Sequence, residues 1–484
     1  MTWRHLGAMV ALAFGALLVH GYHPQIEDAE IYLPAVKQHL NPSLYPFGAE
    51  FFLSHASLTR FDEIVAASAA WSRLPFDVVI FIWQFSSIVL LLVAGWMLNR
   101  TCFGTELACW GGVVLLAALL TVPISGTALL LFDQYLTPRS ISAFTTLFAI
   151  DAANGRRYVG AVCWMAATVV FHPLMAVFTS CFVLLVVASK RMPASSPVAL
   201  AGLPAALWVS LPSDAYHEVV LTRSYFFILK WVWYDWLGFA ILVGLFWCFD
   251  RIATRQHRHG LALLCRMTLV WISLCSALGV VLTVPARLET LARYQPMRGL
   301  HLAFMIAILT GGGFLAETVF QRRAWRWLAL VVPLTAGMWT VQRLLFPATP
   351  HVEWPGAAPR NDWVEAFLWI RANTPVSAIF ALDPDHMALP GEDQHGFRLI
   401  AERSRLADAV KDSGAATMFP DQAMPEHWRD QVRAQSGWKA YNRAEFEQLR
   451  RRYGVTWVVL EGSPRVGMEC PYRNTSVLVC RLPP

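Results

Sequence analysis

Charge is missing from this chain in long blocks. Between Trp3 and Phe346, nearly uncharged stretches of about 15–25 residues follow one another, the length a helix needs to cross a bilayer. Such a chain reads as mainly α, a polytopic bundle of transmembrane helices. The polar residues collect in the gaps. One gap, His23 to Pro75, is far longer than the rest and opens with Glu27, Asp28 and Glu30. Composition supports the pattern: charged residues are 15% of the chain, against about 25% in a soluble domain. The 21 Trp and 29 Phe suit a lipid-facing surface with aromatic belts. The net charge of +6 is not a nucleic-acid signal, because the Lys and Arg residues sit in loops between spans.

About eleven spans are expected, over 3–22, 76–98, 107–131, 138–153, 158–171, 174–189, 196–212, 232–249, 262–284, 299–319 and 326–346. The pair 158–171 and 174–189 is short enough for a tight hairpin. No small-residue cleavage site precedes His23, so the first stretch reads as an anchor. With the N-terminus inside, the inner loops hold most of the Lys and Arg, such as Arg100, Arg156, Arg157, Lys190, Arg191, Arg251 and Arg255. The outer ones hold only Arg139, Arg223, Lys230, Arg287, Arg293 and Arg298. The positive-inside rule then places the long first loop and the C-terminal tail outside.

Residues 347–360 form a Pro-rich linker, and 361–484 read as a small periplasmic α/β domain. Helices are expected over 362–372 and 443–452, and strands over 378–382 and 455–460. Seven of the nine cysteines lie in or beside spans as small apolar fillers. Cys470 and Cys480 flank a polar turn in the outer domain, where an oxidising compartment favours a disulfide; two free thiols are the alternative. In the first loop, 31–40 and 61–74 have helical spacing and read as two amphipathic helices on the outer membrane surface. Thr59 with Asp62 or Glu63 resembles a helix start.

Two constellations carry chemistry. Glu27, Asp28 and Glu30 follow the first span at the water boundary, where a carboxylate is costly and desolvation would raise its pKa toward that of a general base. They could also be ordinary solvated loop acids. The second lies at outward-facing helix starts: Thr137-Pro138-Arg139, His172-Pro173 and Gln295-Pro296-Met297-Arg298. Proline suits a first turn, whereas Arg there opposes the helix dipole unless an anion binds. Arg223, Lys230 and Arg293 lie at the same level. The alternative is pairing with Asp133, Asp235, Glu289 or lipid headgroups. Together the groups describe a carboxylate base facing a cationic pocket for a lipid-carrier phosphate.

The chain resembles the bacterial GT-C superfamily of integral membrane glycosyltransferases. The resemblance rests on Glu27-Asp28-Ala29-Glu30-Ile31-Tyr32-Leu33-Pro34, Tyr135-Leu136-Thr137-Pro138-Arg139, His172-Pro173-Leu174-Met175-Ala176, Tyr225-Phe226-Phe227 with Trp231-Val232-Trp233-Tyr234-Asp235-Trp236, and Gln295-Pro296-Met297-Arg298. It spans residues 20 to about 320. It implies an acidic motif in the first outer loop, carried here by Glu27, Asp28 and Glu30, and a polyprenyl-phosphate sugar donor. Asp28, between the other two acids, is the expected base in a single displacement. Arg139, Arg298 and His172, with Lys230 and Arg223 nearby, would hold the donor phosphate.

No Gly-rich nucleotide loop is present. Asp383-Pro384-Asp385 reads as a turn, and His386, His395 and His427 are too scattered for zinc. A lipid-linked donor without a metal is favoured, although Asp28 and Glu30 could together hold a divalent ion. Two other classes stay open: a transporter or flippase for a lipid-linked saccharide, and a non-catalytic lipid-binding envelope protein of the same fold. The acceptor, the sugar and the stereochemistry are not written in the sequence.

Overall fold

The computed structural model describes residues 1–191, 212–420, 423–462 and 468–483. The chain opens with α1 (Trp3–His20) and continues into the long first loop, which carries α2 (Ala29–Leu40), α3 (Glu50–Ala56) and α4 (Phe61–Ser72). Then come α5 (Phe76–Phe103), α6 (Glu106–Ala118), a hairpin of β1 (Pro123–Ile124) and β2 (Leu129–Leu130), α7 (Pro138–Asn154), α8 (Tyr158–Phe171) and α9 (Pro173–Arg191). After α10 (Asp214–Leu221) follow α11 (Trp233–Arg255), α12 (His259–Thr283), α13 (Leu300–Leu315) and α14 (Ala324–Leu345). Short 3-10 turns fill the gaps between α10 and α11 and between α12 and α13.

Among the described residues, 7 helical stretches are long and apolar enough to cross a membrane: α1, α5, α9, α11, α12, residues 287–320 including α13, and α14. This is fewer than the expected count of about eleven, for identifiable reasons. The expected span 196–212 lies almost wholly outside the described residues. Helices α6 and α8 are apolar but short. Helix α7 has 17 residues and a polar inner face. The stretch expected as a span over 107–131 leaves the helix at Ala118 and turns through the β1–β2 hairpin. Gly126 sits in that turn at φ +65°, with the Trp231 ring where a Cβ would stand.

Helix α7 is the axis of the bundle, and all of its residues are buried. Its hydroxyls bind across to neighbours, Thr145 to Thr168 at 2.8 Å and Thr146 to Thr179 at 2.7 Å. Such bonds join helices where no water competes. Helices α6 and α13 touch backbone to backbone: a Cβ on Gly111 would lie 2.3 Å from the Gly312 carbonyl. Asn99 ties this contact by donating to the Ala108 and Leu309 carbonyls.

The C-terminal part contains α15 (Asp362–Asn373), β3 (Ile379–Ala381), α16 (Phe397–Ala401), β4 (Ser404–Arg405), α17 (Asp412–Met418), α18 (Met424–Ala434), α19 (Arg443–Tyr453), β5 (Trp457–Glu461), β6 (Glu469–Arg473) and β7 (Val477–Arg481). The sheet order is β4-β3-β5-β7-β6, parallel across β4, β3 and β5 and antiparallel beyond. Asn361 caps α15 through the Trp363 and Val364 amides. Phe367, Phe380 and Phe397 build the core between α15 and the sheet. Cys470 and Cys480 are joined in a disulfide across β6 and β7. Closing a loop of 10 residues restricts the unfolded chain by about 3 kcal/mol. Substituting both cysteines by Ser is expected to cost roughly that much, read as a lower denaturation midpoint of the intact protein; an unmoved midpoint would contradict it.

The first loop is more than two helices free on a surface. It contains three helices, not two, and α2 is buried from Ala29 to Lys37 apart from Tyr32, sandwiched under α16 of the C-terminal part. Backbone bonds stitch the two parts together: the Glu27 amide donates to the Gln394 carbonyl, and the Gly396 amide to the Gln25 carbonyl, both at 2.9 Å. Lys37 donates to the Leu399 carbonyl and to Glu402, each at 2.7 Å. The Pro-rich segment 347–360 is itself tied down, with the Gly356 amide on Asp77 and Glu353 on His23. Glu353 lies between two buried imidazoles, His23 at 2.9 Å and His395 at 3.8 Å.

Candidate functional site

The acidic motif splits on folding. Ile26 pairs with His395 as an isolated β-bridge, and Glu27 takes a positive φ of 53°. The chain then turns into α2, so the three carboxylates leave in different directions. Glu30 does not line the cavity that Asp28 faces. Its two oxygens accept from the Arg398 and Leu399 amides at 2.9 Å, and Arg405 approaches at 3.3 Å. This overturns its expected place as an acid of the site: Glu30 anchors the C-terminal domain. It also removes the Asp28/Glu30 pair as a holder of a divalent ion, since the Glu30 oxygens are fully engaged elsewhere. Glu27 binds Lys411 and lies outside the cavity wall.

Asp28 does face a cavity. A space of about 450 Å³ is walled by Asp28, Tyr32, His55, Arg139, His172, Arg223, Tyr225 and Arg298, with Gly414 to Phe419 of the C-terminal domain closing one side. The volume falls in the range of small-molecule sites, about 300–1,000 Å³. Its apolar wall includes Leu58, Leu174, Val177 and Phe226. Six of the charged or imidazole residues singled out in the sequence, Asp28, Arg139, His172, Arg223, Arg293 and Arg298, therefore meet here although they come from well-separated parts of the chain. Lys230 does not join them. It is exposed, with its ammonium 4.7 Å from the Phe227 ring centre.

The cations divide into two kinds. Arg139, in the first turn of α7, is already paired. Its Nε and Nη2 donate to Asp133 at 3.1 and 2.9 Å, and Nη2 also donates to Asp28 at 2.9 Å. The conflict between this guanidinium and the helix dipole is thus relieved by side-chain carboxylates, not by a free anion. Arg298 and Arg223 have no carboxylate partner among the described residues. Arg298 lies over the Tyr225 ring at 5.5 Å and donates weakly to its hydroxyl at 3.4 Å. Arg223 donates to the Val410 carbonyl and, at 2.7 Å, to Ser413 Oγ. Both have a buried Nε with no acceptor. Two guanidiniums left uncompensated at a cavity are a standing attraction for an anion.

Protonation sharpens the division. Burial alone would raise the Asp28 carboxyl, but Lys411 and Arg139 outweigh it, with Arg298 adding to them, and hold it well below the usual carboxylate range. Burial pushes His172 down to about 3, with Arg139 and Arg298 helping. His172 is therefore neutral, and it can meet a phosphate only as a hydrogen-bond donor. Its Nδ1 accepts from the Met175 amide at 3.4 Å, leaving Nε2 as the donor. His55, on α3, is pushed down to about 4 by burial, and its Nδ1 has no partner. No family model matches this chain, and no curated protein matches its sequence.

Sequence reasoning passed over His55 and Lys411, and gave Tyr225 no role of its own beyond its place in a motif. His55 stands in a loop helix with no motif around it. Lys411 donates to Asp28 at 3.0 Å across a separation of 383 residues, in a segment that reads as an ordinary charged surface.

Proposed function

We propose that this chain is a GT-C-type membrane glycosyltransferase that moves a sugar from a polyprenyl-phosphate donor to an acceptor at the outer face of a bacterial cytoplasmic membrane. In this reading the N-terminus is cytoplasmic and the α/β domain periplasmic, in keeping with the distribution of Lys and Arg between loops. One observation carries the proposal: a carboxylate, Asp28, shares one cavity with two guanidiniums, Arg298 and Arg223, that form no ion pair with a carboxylate among the described residues. The acceptor hydroxyl attacks the anomeric carbon as the bond from that carbon to the phosphate oxygen breaks. The hydroxyl proton passes to Asp28, and the electron pair of the broken bond stays on the phosphate. Arg298 and Arg223 stabilise that growing charge, and neutral His172 and His55 supply hydrogen-bond donors. A carboxylate as well paired as Asp28 is a weak base toward a resting alcohol. It becomes adequate late in the attack, when the acceptor oxygen has turned acidic.

Each charge-assisted bond to the phosphate is worth about 1.5–3 kcal/mol. Arg298→Ala and Arg223→Ala are therefore expected to weaken binding of a polyprenyl monophosphate in nanodiscs by roughly ten- to a hundredfold each. Wild-type affinity in both variants would sink the proposal. A second reading, a flippase or non-catalytic binder of the same lipid, draws on the double pairing of Asp28. It predicts binding with the same arginine dependence but no release of sugar from a polyprenyl-phosphate-linked donor.

A further inference from the structure

Lys411 sits on a turn that the C-terminal domain holds rigidly. Asp408 Oδ1 accepts from the Lys411 and Asp412 amides at 2.7 and 2.8 Å, while Asp408 Oδ2 takes Arg405 at 2.6 Å. Asp412 grips Arg398 through both oxygens at 2.8 and 2.9 Å. All of these side chains are buried. Burying so many charges is costly, and such networks are best understood as specifying one geometry. The Lys411 side chain leaves this turn, crosses to the membrane part and ends on Glu27 and, at 3.0 Å, on Asp28 Oδ1.

The two Asp28 oxygens are thus divided. Oδ2 belongs to Arg139 of the membrane bundle and Oδ1 to Lys411 of the C-terminal domain. Among the described residues, the other charged or titratable groups that act on Asp28 or share its cavity include Arg298, Arg223, Arg293, His172, Tyr32 of α2, His55 of α3, Asp133 and Tyr135 before α7, and neighbouring Glu27. Every one of them lies outside the C-terminal domain.

We propose that Lys411 is a positioning residue of the membrane site: carried in from the C-terminal domain, its ammonium holds the Asp28 carboxylate toward the cavity, so that the site acts only while that domain is docked. The catalytic consequence rests on the transferase reading, whereas the contact itself does not. Removing one of two cations at a carboxylate raises its pKa, which gives two separate readouts. The first is labelling of Asp28 in the full-length protein by dicyclohexylcarbodiimide, which reacts with protonated carboxyls, followed by mass spectrometry across pH. The second is release of sugar from a polyprenyl-phosphate-linked donor.

In Lys411→Met, labelling should extend to higher pH by about one unit or more. The acid limb of turnover should move the same way, with kcat down roughly tenfold or more at an unchanged KM. Lys411→Arg should restore both, because a guanidinium keeps the charge. Asp28 labelling in Lys411→Met at the wild-type pH would overturn the proposal, as would wild-type kcat in that variant. A lysine with a merely structural role would lower the folded fraction and leave the pH dependence in place. If wild type releases no sugar, the transferase reading falls, and the labelling arm still decides Lys411.

Discussion

Asp28→Asn is expected to lower sugar transfer by roughly a hundred- to ten-thousandfold, the range a positioned base contributes. The fold should survive, because each cation keeps another carboxylate. Arg139 retains Asp133 at 2.9 Å, and Lys411 retains Glu27. Donor binding should hold or tighten, since the substitution removes a negative charge beside the cavity that would receive a phosphate. The combination of lost turnover with intact or stronger binding of polyprenyl monophosphate separates a chemical role from a binding one. Unchanged turnover would remove Asp28 from the mechanism, and weakened binding would mean that it orients the donor instead. The pH dependence has a sign. With its carboxyl held well below the usual range, Asp28 stays ionised above the ordinary carboxylate pKa of about 3.9. Turnover limited by this group is flat from neutral pH down to about 5 and falls only once the carboxyl takes up a proton.

The second large effect is structural. Glu30→Ala is expected to destabilise the docking of the C-terminal domain by about 3–5 kcal/mol, the cost of removing one partner from a buried charge cluster. Glu30 is fully buried and serves two backbone amides and Arg405. Without it these donors face each other in a space closed to water, with Arg398 adjacent at 4.0 Å from the missing oxygen. The expected readout is faster proteolytic cutting within residues 347–360, the segment that joins the two parts, together with a lower thermal midpoint. Resistance equal to wild type would show that the remaining contacts of α2 suffice. Glu30→Gln should fall between, because an amide oxygen can still accept from one of the two N–H groups.

These two acids lie two positions apart in one motif, yet they do unrelated work. Nothing local distinguishes them. Asp28 is the last residue before α2, and its carboxylate meets Arg139 and Lys411, whereas Glu30 is in the first turn of α2 and faces α16. Which of the two meets the cavity depends on where residues 397–405 dock, far away along the chain. The same holds for the arginines. Arg139 and Arg298 both stand at helix starts within two residues of a proline, and only the positions of Asp133 and Tyr225 make one a bridge between carboxylates and leave the other without an ion-pair partner among the described residues.

Local physics did decide a good deal. The uncharged blocks required apolar helices, and α5 starts after Pro75 and stops before Gly104, whereas α11 runs on through Asp250 and Arg251 and α14 through Pro333. The helical spacing over 362–372, the β-branched run at Val458 and Val459, and the two cysteines of the last hairpin foretold their elements, because side-chain periodicity, strand preference and short-loop closure act over a few residues. The assembly of the cavity is another matter. It joins groups from α2, α3, α7, the turns around 172, 223 and 298, and the C-terminal domain, and no short-range preference encodes such meetings. Hydrophobic patterning says which face of a helix is buried; it does not say against whom. Only the packed molecule could show that a lysine near the end of the chain closes on an aspartate near its beginning.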